Sequence, residues 1–158
     1  VAAPVPGPVA RVRQALTSLG AADTITVFDA KVPTAAAAAA ALGCDVAAIT
    51  NSLVFDLDGA PLLILASGAS RVDVGKVAAQ LGTGKIRRAS PEFVLAYTGQ
   101  EVGGVAPVGH PEKLHTLLDE SLAAHPVLWA GAGDHNSMFS ISYAELRRIT
   151  AAVEMPVR

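Results

Sequence analysis

The sequence predicts a single-domain α/β (α+β) fold built on a mixed β-sheet with flanking helices. Three observations lead there: 158 residues of which 51% are apolar, a β-hairpin signal within residues 51–66, and helix signals on both sides of it. The elements lack the regular strand-helix alternation of a doubly wound nucleotide fold. A chain of this length buries roughly 70% of its unfolded surface, and a mean hydropathy of +0.43 supplies the material for one core. Disorder of the whole chain is excluded on that ground. The domain is expected over residues 9–155, behind a flexible Pro-rich arm at 1–8.

That arm lacks both the charged segment and the continuous apolar stretch of a secretory signal. Val9, Val12, Leu16 and Leu19 then follow the three-and-four spacing of an amphipathic helix, which Gly20 ends. Residues 24–28 alternate polar and apolar types, with β-branched and aromatic side chains, and predict a half-buried strand. Pro33 and Thr34 open a second helix of seven alanines, 35–41, with Gly43 as its C-cap. Such small side chains suit close packing on a sheet.

Residues 51–57 and 61–66 flank Asp58-Gly59, a dipeptide able to take the positive φ angles of a tight hairpin turn. The second strand is continuously apolar, so it is expected to be covered on both faces. Asp73 can cap a helix with the stripe Val74, Val77, Ala78 and Leu81, ending at Gly82, with Lys76 and Gln80 outside. Ser90-Pro91 opens another, running to about Tyr97 and closed by Thr98-Gly99. Two late strands, 127–130 and 138–141, are separated by the glycine turn 131–133. Ser142 to Glu145 forms a capping box for a last helix, whose expected buried stripe is Leu146, Ile149 and Val153.

Twelve basic against fourteen acidic residues give a charge of −2, so there is no global field advertising nucleic acid or membrane. No apolar run reaches the ~18 to 20 residues of a membrane span. The single Cys44 excludes an internal disulfide framework and a multi-thiolate zinc site, and fits a cytoplasmic location. His110, His115, His125 and His135 lack the one-turn spacing of a helical metal pair, so neither metal nor cofactor is expected. The nearest P-loop candidate, 82–85, has Ala79 in place of the first glycine and Ile86 after the lysine. Residues 131–136 lack the third glycine of a dinucleotide fingerprint, and no serine sits in G-x-S-x-G. A DNA partner is disfavoured by the negative charge and by the lack of a recognition-helix pattern. Aromatic residues are only 4%, with none among the basic ones, which disfavours a stacking platform for single strands.

Two segments remain. Residues 99–109 hold four glycines and Pro107, and such a loop either turns tightly for shape alone or converges its amides on a carbonyl or oxyanion. Lys85, Arg87 and Arg88, with Arg71 and Lys76 upstream, form either a solvated face or a set of phosphate contacts.

Read together, the strand beginning Asn51-Ser-Leu-Val-Phe, the helix around 72–82, Ala89-Ser-Pro-Glu-Phe-Val94, Thr98-Gly99 and the loop 103–109 resemble one family. It is the YbaK/prolyl-tRNA-synthetase-associated editing domain family, whose free-standing members hydrolyse misacylated tRNA. The likeness covers residues 34–150, with Gly103 and Pro107 as the fixed points of the family's G-x-x-x-P loop. It implies a sheet curled toward an open barrel, with helices outside and a pocket beside that loop. Asn51, Gly103, Gly104 and Pro107 are then expected at the reacting ester. Val105, Ala106, Val108, Gly109, His110, Asp119, Gly131 and Gly133 are expected to bind substrate, and Arg71, Lys76, Lys85, Arg87 and Arg88 to bind tRNA. The implied partners are the acceptor end of an aminoacyl-tRNA and an aminoacyl-tRNA synthetase. Asn51 stands where many members carry a lysine, and Asn supplies no cation to a phosphate. A second reading is therefore a non-catalytic tRNA- or ligand-binding module of the same fold.

Overall fold

A computed structural model describes residues 7–32 and 34–158. Most of the expected arm, residues 1–6, and Pro33 at the second helix start lie outside these. Pro8 already belongs to the first helix, α1 (Pro8–Ser18), whose first turn tolerates a residue without an N–H. α1 buries Val12 and Leu16 as the spacing predicts. The alanine helix α2 (Ala35–Leu42) is capped by the Thr34 hydroxyl, which accepts the Ala37 N–H at 3.1 Å, and ends at Gly43 with φ +67°. The expected strand at 24–28 shrinks to β1 (Thr26–Val27), with Val27 65% exposed. Just before it, the Thr24 hydroxyl replaces ladder bonds by contacting both the N–H and the C=O of Ser140.

The hairpin is formed by β2 (Ile49–Leu57) and β3 (Ala60–Ser67). Its turn places Asp58 at φ +52° and Gly59 at φ +88°, as a two-residue turn matched to sheet twist requires. β3 is buried on both sides. Leu62, Ile64 and Ala66 pack with Val77 of α3 (Val74–Leu81), whereas Leu63 and Leu65 pack with Leu118, Leu128 and Leu146.

The remaining elements are β4 (Ile86–Arg88), α4 (Pro91–Thr98), β5 (His115–Asp119), β6 (Leu128–Gly131), β7 (Ser137–Ile141), α5 (Tyr143–Thr150) and β8 (Val153–Met155). Among the described residues eight strands make one mixed sheet in the order β1-β7-β6-β2-β3-β5-β8, with β4 also on β2. The sheet does not close, because β1 and β8 stand at opposite ends of that order. Three strands, β4, β5 and β8, were not foreseen. β5 lies parallel to β3, and β8 parallel to β5. One expected position is corrected: Val153 is on β8 and 51% exposed, because Ala151 at φ +49° stops α5 before it. Leu146, Ile149 and Thr150 form the helix's buried side instead.

Candidate functional site

The sheet leaves a gap along β2. On the edge away from β3, β2 pairs with β6 at Ile49 and Thr50 and with β4 from Phe55 to Leu57. Between them, residues 51–54 have no strand partner on that side among the described residues. Ile49 turns its carbonyl toward the β3 side, where it accepts the Gly68 N–H at 2.7 Å. Backbone alternation along β2 therefore aims the N–H and C=O of Ser52 into the gap.

A cavity of about 820 Å³ opens at this gap, within the range of small-molecule sites. One wall is β2 from Ile49 to Phe55, others come from Thr34, Ala35 and Ala38 of the α2 region, and from Ala89, Pro91 and Val94 around α4. Val102, Gly103 and Val105 of the glycine loop and Gly131 of β6 complete it. Asn51 lines the cavity, and its carboxamide makes no hydrogen bond among the described residues. Among the described residues Arg88 supplies the one charged side chain in the lining.

The glycine loop is held from behind. Gln100, 1% exposed, accepts the Ala106 N–H at 2.7 Å and donates to Val108 O at 3.4 Å. Thr98 Oγ1 in turn accepts the Gln100 N–H at 3.0 Å. Gly104 N–H donates to Glu101 O, and His135 Nε2 donates to Val102 O at 3.0 Å. So the amides of Gly104 and Ala106 are occupied within the protein, whereas those of Gly103 and Val105 have no partner among the described residues. Gly103 has φ +87°, and a Cβ on Gly104 would lie 3.0 Å from the Asp134 backbone, which explains two adjacent glycines by different means.

Of the expected site residues, Asn51, Gly103, Val105, Gly131 and Arg88 reach the cavity. Pro107, Val108, Gly109 and His110 do not; they border a separate hollow of about 220 Å³ beside α1. Ala106 is fully buried. His110 Nε2 donates to Ala106 O at 2.8 Å, and burial pushes its pKa down. Gly109 and Gly133 serve packing, since a Cβ would lie 3.1 Å from Val12 and 2.9 Å from Pro8 respectively. Asp119 also sits elsewhere, its carboxylate accepting from Ser67 N–H at 3.0 Å and from Ser121 N–H and Oγ. It ties the ends of β3 and β5 to the short 3-10 helix Glu120–Ala124.

Among the basic residues, Lys76 Nζ donates to the Arg158 carbonyl at 2.6 Å, and Arg71, Lys85 and Arg87 are exposed outside the lining. Ser52, Thr34, Val102 and the α4 start are cavity residues that sequence reasoning missed. Only the pairing of β2 with both β4 and β6 brings them together. Cys44 packs below α2 outside the cavity, and burial pushes its thiol pKa up, so it offers no ready nucleophile. No group of His, Cys, Asp and Glu among the described residues could hold a metal ion. Nor is any helix among them long and apolar enough to cross a membrane.

The model of the aminoacyl-tRNA editing domain matches residues 29–149. The chain belongs to that family. This editing domain is 32% identical over 136 residues to the uncharacterized protein YwhH of Bacillus subtilis (strain 168), covering 85% of this chain and 86% of that one. It is 31% identical over 142 residues to a proline--tRNA ligase of Nitratidesulfovibrio vulgaris (strain DP4), covering 80% of this chain but 25% of the ligase. Its fold matches, with a TM-score of 0.91 and 35% identity, a crystal structure of "a putative trans-editing enzyme for prolyl tRNA synthetase", over 98% of this chain and 99% of that one. The YbaK-like resemblance read from the β2 strand, α3 and the G-x-x-x-P loop is thereby borne out, as is the mixed-sheet fold class. Membership supports an editing role for the chain.

Proposed function

We propose that this editing domain deacylates a mischarged aminoacyl-tRNA, with water attacking the ester carbonyl while main-chain amides hold the oxygen. The observation that carries the reading is that, among the described residues, the Gly103 and Val105 amides have no partner and lie on the wall of a cavity with no acid, histidine or thiol in its lining. An aminoacyl ester is already activated, so positioning a water and stabilising the tetrahedral oxyanion suffice without a protein acid/base pair. Water oxygen bonds to the acyl carbon, the acyl–ribose bond breaks, and the ribose oxygen leaves with a proton. The Asn51 carboxamide and the Ser52 main chain are the polar groups that orient the aminoacyl end. Leu53, Val54, Val105 and Met138 give the wall its apolar character, so selection is by side-chain size, worth about 1–3 kcal/mol per methylene.

The second reading, a binding module without turnover, is favoured by one observation: among the described residues no side chain in the lining can act as a general base. Hydrolysis of aminoacyl-tRNAs carrying Ala, Ser, Cys and Thr separates the two. Selective deacylation by the wild-type protein supports the first reading, and Gly103→Val abolishes it. A folded protein inactive on the whole panel, which gains turnover with Asn51→Lys, supports the second.

A further inference from the structure

The gap in β2 has two chemically different ends. At one, Thr50 pairs with Ala130, and the adjoining Gly131 lies against the glycine loop, whose Val105 O would be 3.0 Å from a Cβ there. That end carries the free amides. At the other, Phe55 pairs with Arg88. Directly opposed residues of an antiparallel pair share a face, so Arg88 lies on the face of β2 that carries Asn51, Leu53 and Phe55. Thr50 and Phe55 lie five steps apart along the strand, about 16 Å at 3.3 Å per residue.

Among the described residues Arg88 is the sole charged one in the lining, with no acidic residue beside it there. Its guanidinium has no hydrogen bond or ion pair among the described residues. The N-terminal turn of α4 begins at Pro91, which also lines the cavity, and its dipole adds potential of the same sign. The opposite end offers amides suited to a neutral ester carbonyl. A ligand matched to this cavity is therefore neutral at one end and anionic at the other.

We infer that Arg88 grips the 5′-phosphate of the terminal nucleotide and thereby sets the depth at which the aminoacyl ester meets the Gly103 loop. A planar guanidinium suits two phosphate oxygens at once. The inference rests on the editing reading for the identity of the ligand, and not for the polarity of the cavity. Arg88 is thus a positioning residue, and Arg87, directed to the other face of β4, is its natural comparison.

The test uses 3′-O-alanyl adenosine with and without a 5′-phosphate, and AMP against adenosine in a calorimetric titration. The wild-type protein should prefer the phosphorylated ester by about tenfold in kcat/KM, as expected for one partly exposed charge-assisted contact. Arg88→Gln should bring that ratio close to one, Arg88→Lys should keep part of it, and Arg87→Gln should keep it whole. An Arg88→Gln protein with the wild-type melting temperature and an undiminished ratio overturns the inference. If the wild-type protein hydrolyses neither ester nor any aminoacyl-tRNA, the editing reading fails by itself. The titration then decides: AMP preferred over adenosine only when Arg88 is present sustains the phosphate grip, and equal binding overturns it.

Discussion

The Gln100 carboxamide oxygen accepts the Ala106 N–H at 2.7 Å, joining the end of α4 to the middle of the glycine loop from inside the protein. Both partners are buried. With this bond in place the Gly103 and Val105 amides, unlike those of Gly104 and Ala106, have no partner among the described residues. Gln100→Leu leaves the Ala106 donor and the Val108 carbonyl unpaired in the interior. Leaving such a group unsatisfied costs about 1–3 kcal/mol. Denaturant unfolding should show that loss with an unchanged slope, and deacylation should fall further than the folded fraction explains. Wild-type activity in a destabilised Gln100→Leu protein would show that the brace does not shape the site.

Gly103 and Gly104 should respond differently to the same substitution. Gly104→Ala drives a Cβ to 3.0 Å from two backbone atoms of Asp134, which have little freedom to move. Overpacking of this kind costs about 1–3 kcal/mol, so its main effect should be on melting temperature. Gly103→Ala meets only the His135 ring edge, at 3.5 Å, but holds φ +87°. The strain, of order 1–2 kcal/mol, is relieved by moving a loop in which Gly103 lines the cavity. Its deacylation rate should therefore fall at least tenfold while its stability changes less than that of Gly104→Ala.

Asp119 should shape the acid limb of stability. Burial by itself raises its pKa, but hydrogen bonds from Ser121 and from the Ser67 N–H outweigh it and hold the carboxyl below its ordinary value. A carboxyl with a depressed folded pKa stabilises the protein above its unfolded pKa, about 3.9, and that contribution disappears as pH falls through the folded value. Asp119→Asn should therefore lose stability at pH 7 and show a flatter decline below pH 4. Unfolding midpoints measured from pH 2 to 7 check both.

His110 gives a separate signature nearer neutrality. Burial depresses its pKa, partly offset by its bond to Ala106 O. The folded protein thus prefers the neutral ring, so stability is full above the ordinary value near 6.5 and falls as pH drops from there toward the folded pKa. His110→Gln can still donate to the carbonyl, and it should flatten the stability profile between pH 7 and 5.

The local elements were legible because short-range chemistry decides them. Thr34, Asp73, Ser90 and Ser142 each cap the helix expected to follow, and Asp58-Gly59 makes the turn its φ requirement selects. Asn51 and Gly103, where the loop and strand motifs lie, line the cavity. Asp119, Pro107 and His110 lie outside its lining, because closeness in sequence to a motif does not say on which side of a loop a side chain emerges.

By itself the sequence determined the helices, the central hairpin, the glycine loop and the family. Tertiary structure alone decided that β4 and β6 share one edge of β2 without meeting. That arrangement depends on strand pairings between residues some 30 to 80 positions apart (Phe55 with Arg88, Thr50 with Ala130), which no local propensity encodes. The gap between them leaves the Ser52 main chain without a strand partner and puts Arg88, not Arg87, in the lining with Gly103 and Val105 of the loop, Arg88 being the one cation there among the described residues.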